Sequence, residues 1–184
     1  GVARSLNYYP IEDEKPEEGV VSLALGLGKY IVDGGLTLRV CPYHPTKVLQ
    51  TKTMDMTLRE TQTSFYALDL KNRGENFSLD DGFNLLKLPI KEAEKNDALQ
   101  FIASTYDPFN MEIQDGVYPI GRKLITFANI LKREDFPLAR ILQLAQEYGQ
   151  NEMHRPVEIE FAVTLDAKEK TGTFYLLQVR PMVD

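Results

Sequence analysis

Two β-patterned runs close the chain, Pro156–Thr164 (P-V-E-I-E-F-A-V-T) and Phe174–Pro181 (F-Y-L-L-Q-V-R-P). A polar D-A-K-E-K-T-G at Asp166–Gly172 joins them, so the pair reads as a hairpin. Alternation then sorts the side chains. In the first arm Val157, Ile159, Phe161 and Val163 share a face, and Glu158, Glu160 and Ala162 take the other. In the second, Phe174, Leu176, Gln178 and Arg180 share a face, opposite Tyr175, Leu177 and Val179. A hairpin centred near Glu169 pairs positions that sum to 338, which sets Glu160 opposite Gln178 and Glu158 opposite Arg180. Without a bulge, two carboxylates, a carboxamide and a guanidinium converge on one sheet surface. Carboxylate and amide oxygens are what a hard cation such as Mg²⁺ selects, and a planar arginine fork suits phosphate. A solvated face with an ordinary cross-strand Glu–Arg pair uses the same residues, and on pattern alone it is the simpler reading.

The remaining sequence supplies a core for such a hairpin. Of 184 residues 43% are hydrophobic, with nine Phe and nine Tyr, enough for one domain. Val2–Pro10 reads as a first strand and Val20–Leu25 as a short buried one. The latter runs into G-L-G-K-Y-I-V-D-G-G (Gly26–Gly35), which suggests a tight turn, one or two helical turns and a glycine-permitted exit. Thr37–Val40 and Lys47–Leu58 carry alternating or β-rich patterns, with Cys41–Thr46 as loop between them. Ser64–Leu70 is ambiguous between strand and helix, and Lys71–Asn76 and Asp80–Gly82 are turn chemistry. Lys91–Ala103 can be a helix, and Asp115-Gly116 is a two-residue turn signal between strand-like runs. The clearest helix is Pro137–Tyr148. Asp135 or Phe136 can cap it, Leu138, Ile141, Leu142, Ala145 and Tyr148 form its apolar stripe, and Gly149 ends it. These elements predict one compact α+β unit: a mixed or antiparallel sheet, flanking helices and a C-terminal β-hairpin.

Several function classes drop out. Twenty-one basic against 27 acidic residues, a net charge of −6, and no Lys/Arg run argue against a nucleic-acid binder. No run approaches the roughly eighteen apolar residues of a membrane span. A single cysteine, Cys41, rules out an internal disulfide and fits a reducing compartment, so a cytoplasmic protein is expected. Cys41, His44 in P-Y-H-P and His154 in E-M-H-R-P read as strand-end, loop or surface residues. The glycine segment is equivocal by itself. Gly-rich turns leading into helices can hold phosphate, but G-L-G-K lacks the G-K-[ST] ending and the third glycine of the known fingerprints.

In order along the chain, however, these segments resemble the nucleotide-binding region of phosphoenolpyruvate synthase (pyruvate, water dikinase) and pyruvate phosphate dikinase, an ATP-grasp fold. The family pattern S-G-V-x-F-T-x-x-P is resembled by G-V-A-R-S-L-N-Y-Y-P, and G-L-G-E-x-V-V-x-G by Gly26–Gly34. Its D-I-E-[FW] and L-x-x-L-Q-x-R-P are resembled by Glu158–Phe161 and by Tyr175–Pro181. The terminal motif, with its partner about eighteen residues earlier, is the specific part. Residues 47–133 match nothing motif by motif.

The resemblance implies Glu160 and Gln178 as ligands that bridge Mg²⁺ to the phosphates of ATP. It implies Arg180 as the catalytic arginine on the transferring phosphoryl group, and Glu158, Gly26 and Gly28 as nucleotide-binding. Two departures stand out: Lys29 replaces the usual Glu, and Glu158 the usual Asp. The upstream basic strands, adenine hinge, phosphohistidine segment and pyruvate barrel of the family are not in residues 1–184. The expectation is therefore a single domain forming the C-terminal half of an ATP-grasp region. In the intact enzyme such a chain would phosphorylate a histidine on another domain and then pyruvate, and alone it would be inactive. Its expected partners are ATP and the other domains of the same chain, with a homodimer left open. A non-catalytic ATP-grasp remnant, or a dikinase with another acceptor, is the alternative.

Overall fold

The computed structural model of the protein describes residues 1–71 and 84–183. Most of the expected turns at Lys71–Asn76 and Asp80–Gly82 lie outside the described residues. The terminal hairpin forms as β9 (Val157–Asp166) and β10 (Thr171–Pro181). β9 also pairs with β1 (Val2–Arg4), which leads on to β2 (Val20–Leu23) and β3 (Leu38–Val40). The result is a five-stranded sheet, β10-β9-β1-β2-β3, antiparallel throughout. β1 is shorter than its sequence pattern. At Ser5 the hydroxyl takes the Val157 N–H at 2.8 Å, a side-chain bond in place of a ladder bond.

Glu160 pairs with Gln178 and Glu158 with Arg180, the register read from the sequence. Between Leu176 and Gln178 the ladder shifts by one, and Leu177 has no partner. Unbroken alternation fails there. Two residues oppose one across a bulge, so strand phase reverses. Phe174 and Leu176 pair with Val163 and Phe161 on the apolar side, not with the face of Gln178 and Arg180. Phe174 stacks on Phe161 with ring centroids 5.1 Å apart.

The sheet's apolar side is covered by the long helix. Ala3, Val21, Val157 and Ile159 are fully buried in one core with Leu138 and Leu142. That helix differs from expectation at both ends: it runs Leu138–Met153, Pro137 is its N-cap without a side-chain cap bond, and it stops at His154 (φ 55°). Gly149 lies inside it. A Cβ there would stand 3.0 Å from Val157 Cγ2, so this glycine admits the strand instead of ending the helix. The buried stripe turns accordingly: Gln146 is buried and donates to the Arg4 carbonyl at 3.0 Å, while Tyr148 faces solvent.

The central segment departs most from its sequence pattern. The one-turn helix α1 (Lys29–Val32) follows β2 as expected, and Gly34 exits at φ 74°. Lys47–Leu58, read as β-rich, instead forms a 3₁₀ turn at Leu49–Thr51 and α2 (Met54–Glu60). Thr53 Oγ1 caps α2 by accepting the Met56 N–H at 3.2 Å. Ser64–Leu68 is a strand, β4, paired with β5 (Leu85–Pro89) in a separate two-stranded sheet. The expected helix at Lys91–Ala103 is two 3₁₀ turns, Ile90–Lys95 and Asp97–Phe101. Asn96 splits them, its side chain accepting the Ala98 N–H at 2.9 Å. A third sheet holds β6 (Ala103–Asp107), β7 (Glu112–Asp115) and β8 (Arg122–Ile125) in the order β7-β6-β8. Asp115-Gly116 is thus no hairpin turn, because β7 and β8 both pair with β6. The short α3 (Ala128–Leu131) then leads to the long helix, α4. Among the described residues, no helix is long and apolar enough to cross a membrane.

Candidate functional site

The pairings on the five-stranded sheet lay two rows of side chains across its polar face. One runs Gln178, Glu160, Val2, Ser22, Arg39; the next runs Arg180, Glu158, Arg4, Val20. Glu158 and Glu160 are neighbours on that face, two residues apart, yet their surroundings are opposite. Glu158 is buried and held from both sides. Arg4 Nε donates to its Oε2 at 2.7 Å, and Arg180 Nε donates to its Oε1 at 2.9 Å with Nη2 on the same oxygen. Burial works against the charge, but the hydrogen bonds from Arg180 and then Arg4 outweigh it, holding the carboxyl below its ordinary value. Arg180 is raised in return, chiefly by that same bond.

Glu160 is half-buried and Gln178 exposed. Among the described residues neither forms a side-chain hydrogen bond or ion pair, unlike Glu158 beside them. Two oxygen-bearing side chains directly opposite each other, unpartnered, with a guanidinium on the adjoining pair, are a fit donor set for a hard divalent cation carrying phosphate.

The glycine segment continues from the end of β2. Gly26 has φ 89°, and a Cβ there would meet the Tyr66 carbonyl at 2.5 Å. Leu27 donates its N–H to that same carbonyl at 3.0 Å, so the turn is docked on β4. Gly28 caps α1, with open space around the position of a Cβ. A largely apolar cavity of about 610 Å³ has Gly26, Gly28, Phe65, Glu160, Phe161 and Leu177 in its lining. Three of the six predicted residues therefore meet one cavity, lined mainly by core residues such as Leu23, Leu138 and Phe161; Glu158, Gln178 and Arg180 are not in its lining.

Residues 1–183 match the family of the pyruvate phosphate dikinase AMP/ATP-binding domain. The chain belongs to that family. No curated protein and no solved structure matches it. The chain is thus an AMP/ATP-binding domain of the pyruvate phosphate dikinase family of phosphotransferases, α+β and ATP-grasp-like.

Two features of this AMP/ATP-binding domain were outside the sequence reading. Arg4 completes the clamp on Glu158, and only strand order could reveal it, since 154 residues separate the partners. Lys29, the charge reversal in the glycine motif, is balanced in place. Its Nζ meets Asp33 Oδ1 at 3.0 Å, and Asp33 in turn accepts the Tyr66 hydroxyl at 2.9 Å. The hydrogen bond between them raises the Lys29 ammonium and lowers the Asp33 carboxyl. His154 is the exposed helix-ending residue, whereas His44 is half-buried with Glu18 as partner.

Proposed function

We propose that this domain supplies the metal-and-phosphate wall of the nucleotide site in a phosphoenolpyruvate-synthase-like dikinase. The observation that carries the reading is the unpartnered Glu160–Gln178 pair beside an arginine fixed by Glu158. Glu160 and Gln178 would hold Mg²⁺, which when bound neutralises and bridges the phosphates of ATP. Arg180 would meet the transferring phosphoryl group. Its Nε and Nη2 are committed to Glu158, which supports a role for Glu158 in aiming the guanidinium while leaving Nη1 for an oxygen. Gly26 and Gly28 would let backbone approach the nucleotide. Positioning and charge neutralisation do most of the work in phosphoryl transfer, and no nucleophile is needed on this face. The acceptor in the whole enzyme would be a histidine of another domain, and then pyruvate.

Because Gln178 is exposed and the Arg180 side chain is 57% open to water, the wall alone buries little of a nucleotide. NMR titration of residues 1–184 with ATP, with and without Mg²⁺, tests this. The expected result is Mg²⁺-dependent shifts centred on Glu160, Gln178 and Arg180, with a dissociation constant of about 1 mM. Shifts independent of Mg²⁺, or centred elsewhere, would overturn the ligand assignment. A micromolar constant would overturn the single-wall reading.

A further inference from the structure

At the sheet edge opposite β10, three metal-binding side chains converge that the nucleotide site does not use. β3 runs directly into Cys41, and the segment Cys41–His44 closes as a turn, the His44 N–H donating to the Cys41 carbonyl at 3.0 Å. Glu18, the last residue of the 3₁₀ turn at Pro16–Glu18, arrives beside it. One donor atom from each of Glu18, Cys41 and His44 lies within 4.8 Å of the other two. His44 Nε2 and Glu18 Oε2 are 3.0 Å apart.

The cluster is supported from behind. Cys41 is fully buried, and the His44 and Glu18 side chains are only 22% and 18% exposed. Glu18 Oε2 also accepts the Lys15 N–H at 2.9 Å, and Gln143 of α4 donates to the Pro42 carbonyl at 2.8 Å. Such outer bonds fix the carboxylate and the turn, as they do around metal ligands generally. Thiolate, imidazole and carboxylate together select a borderline ion such as Zn²⁺ and not Mg²⁺.

We propose that Glu18, Cys41 and His44 form a three-ligand site for a divalent transition metal of the zinc class, with water in the fourth tetrahedral position. Bonds of about 2.0–2.3 Å would set the ligand atoms roughly 3.5 Å apart, so the 3.0 Å His44–Glu18 contact opens slightly and the set, all within 4.8 Å, needs little rearrangement. Binding replaces the His44–Glu18 contact with two metal bonds and releases the Cys41 thiol proton to solvent.

Co²⁺, a coloured stand-in for Zn²⁺, provides the test on the metal-stripped protein. The expected titration gives a thiolate-to-cobalt charge-transfer band and tetrahedral ligand-field bands, saturating at one equivalent, displaced by Zn²⁺ and unaffected by Mg²⁺. Cys41→Ser should abolish the charge-transfer band. Because Cys41 is buried and its replacement can disturb folding, His44→Gln is the second variant. It keeps the thiol, and should weaken cobalt affinity roughly tenfold or more and remove the rise in unfolding midpoint that Zn²⁺ gives the parent protein. A folded parent protein without the charge-transfer band, or a His44→Gln variant with unchanged affinity, would overturn the site.

Discussion

The five-stranded sheet and the β4–β5 pair are both antiparallel, yet only the first has two distinct faces. Along β9, Val157, Ile159 and Phe161 are at most 4% exposed, while Glu160 between them is half-open. Along β5, Leu86 is 41% exposed and no residue from Leu85 to Pro89 is buried. A sheet covered on one side by a helix imposes alternation, interrupted here at Leu177, and alternation makes the polar side an array of known spacing. The β4–β5 pair meets that core only through Phe65, so its alternation is weakly imposed and weakly advertised. The difference teaches why chemistry collects on the first sheet: burial of one face is what holds the other in register.

The sharpest way to break this comparison is to remove equivalent atoms from both regions. Ile159→Ala should cost about 2–5 kcal/mol in a denaturant melt, whereas Leu86→Ala should cost about 0.5 kcal/mol. Equal losses would mean the two regions share one kind of core. The polar face has its own test in the intact dikinase. Glu160→Gln should leave the melting temperature unchanged and slow ATP-dependent phosphorylation roughly a hundredfold, about 2.7 kcal/mol of barrier. Turnover like the parent's with the same Mg²⁺ dependence would detach the face from the chemistry.

Smaller in size but more diagnostic is Gly149→Ala. Alanine in a helix normally gains about 0.5–1 kcal/mol over glycine. Here the added Cβ meets Val157 Cγ2 at 3.0 Å, so a net loss of about 1 kcal/mol is expected. A gain would show slack between α4 and the sheet. Least of all, Lys29→Ala should leave the unfolding midpoint where it was, because the Lys29–Asp33 pair is an exposed surface ion pair. A measurable drop would bring the glycine segment into the cooperative core.

What the sequence disclosed follows the same division. The pairing of Glu160 with Gln178 and of Glu158 with Arg180, the antiparallel hairpin, and the strand–turn–helix of Val20–Val32 were legible, since each rests on period or on glycine conformation. The central segment was not. At Thr53 and Asn96, single side-chain-to-backbone bonds decide where helical turns start, and neither changes the hydrophobic period. The clamp of Arg4 on Glu158 and the gathering of Glu18 with Cys41 and His44 depend on which strands become neighbours. That information is nowhere local.

The unpaired Leu177 has one more effect. It interrupts the ladder between the hairpin's outer half and the segment carrying Gln178 and Arg180, so the two halves keep separate frames. Strain, insertion or fraying at Ala167–Lys170 can be absorbed at Leu177 without turning Gln178 away from Glu160. The hairpin is in effect geared: its tip is free to change length and sequence over generations while the base stays in alignment. Variation among relatives should therefore concentrate on the tip side of residue 177, and a one-residue length change on the base side should be rare.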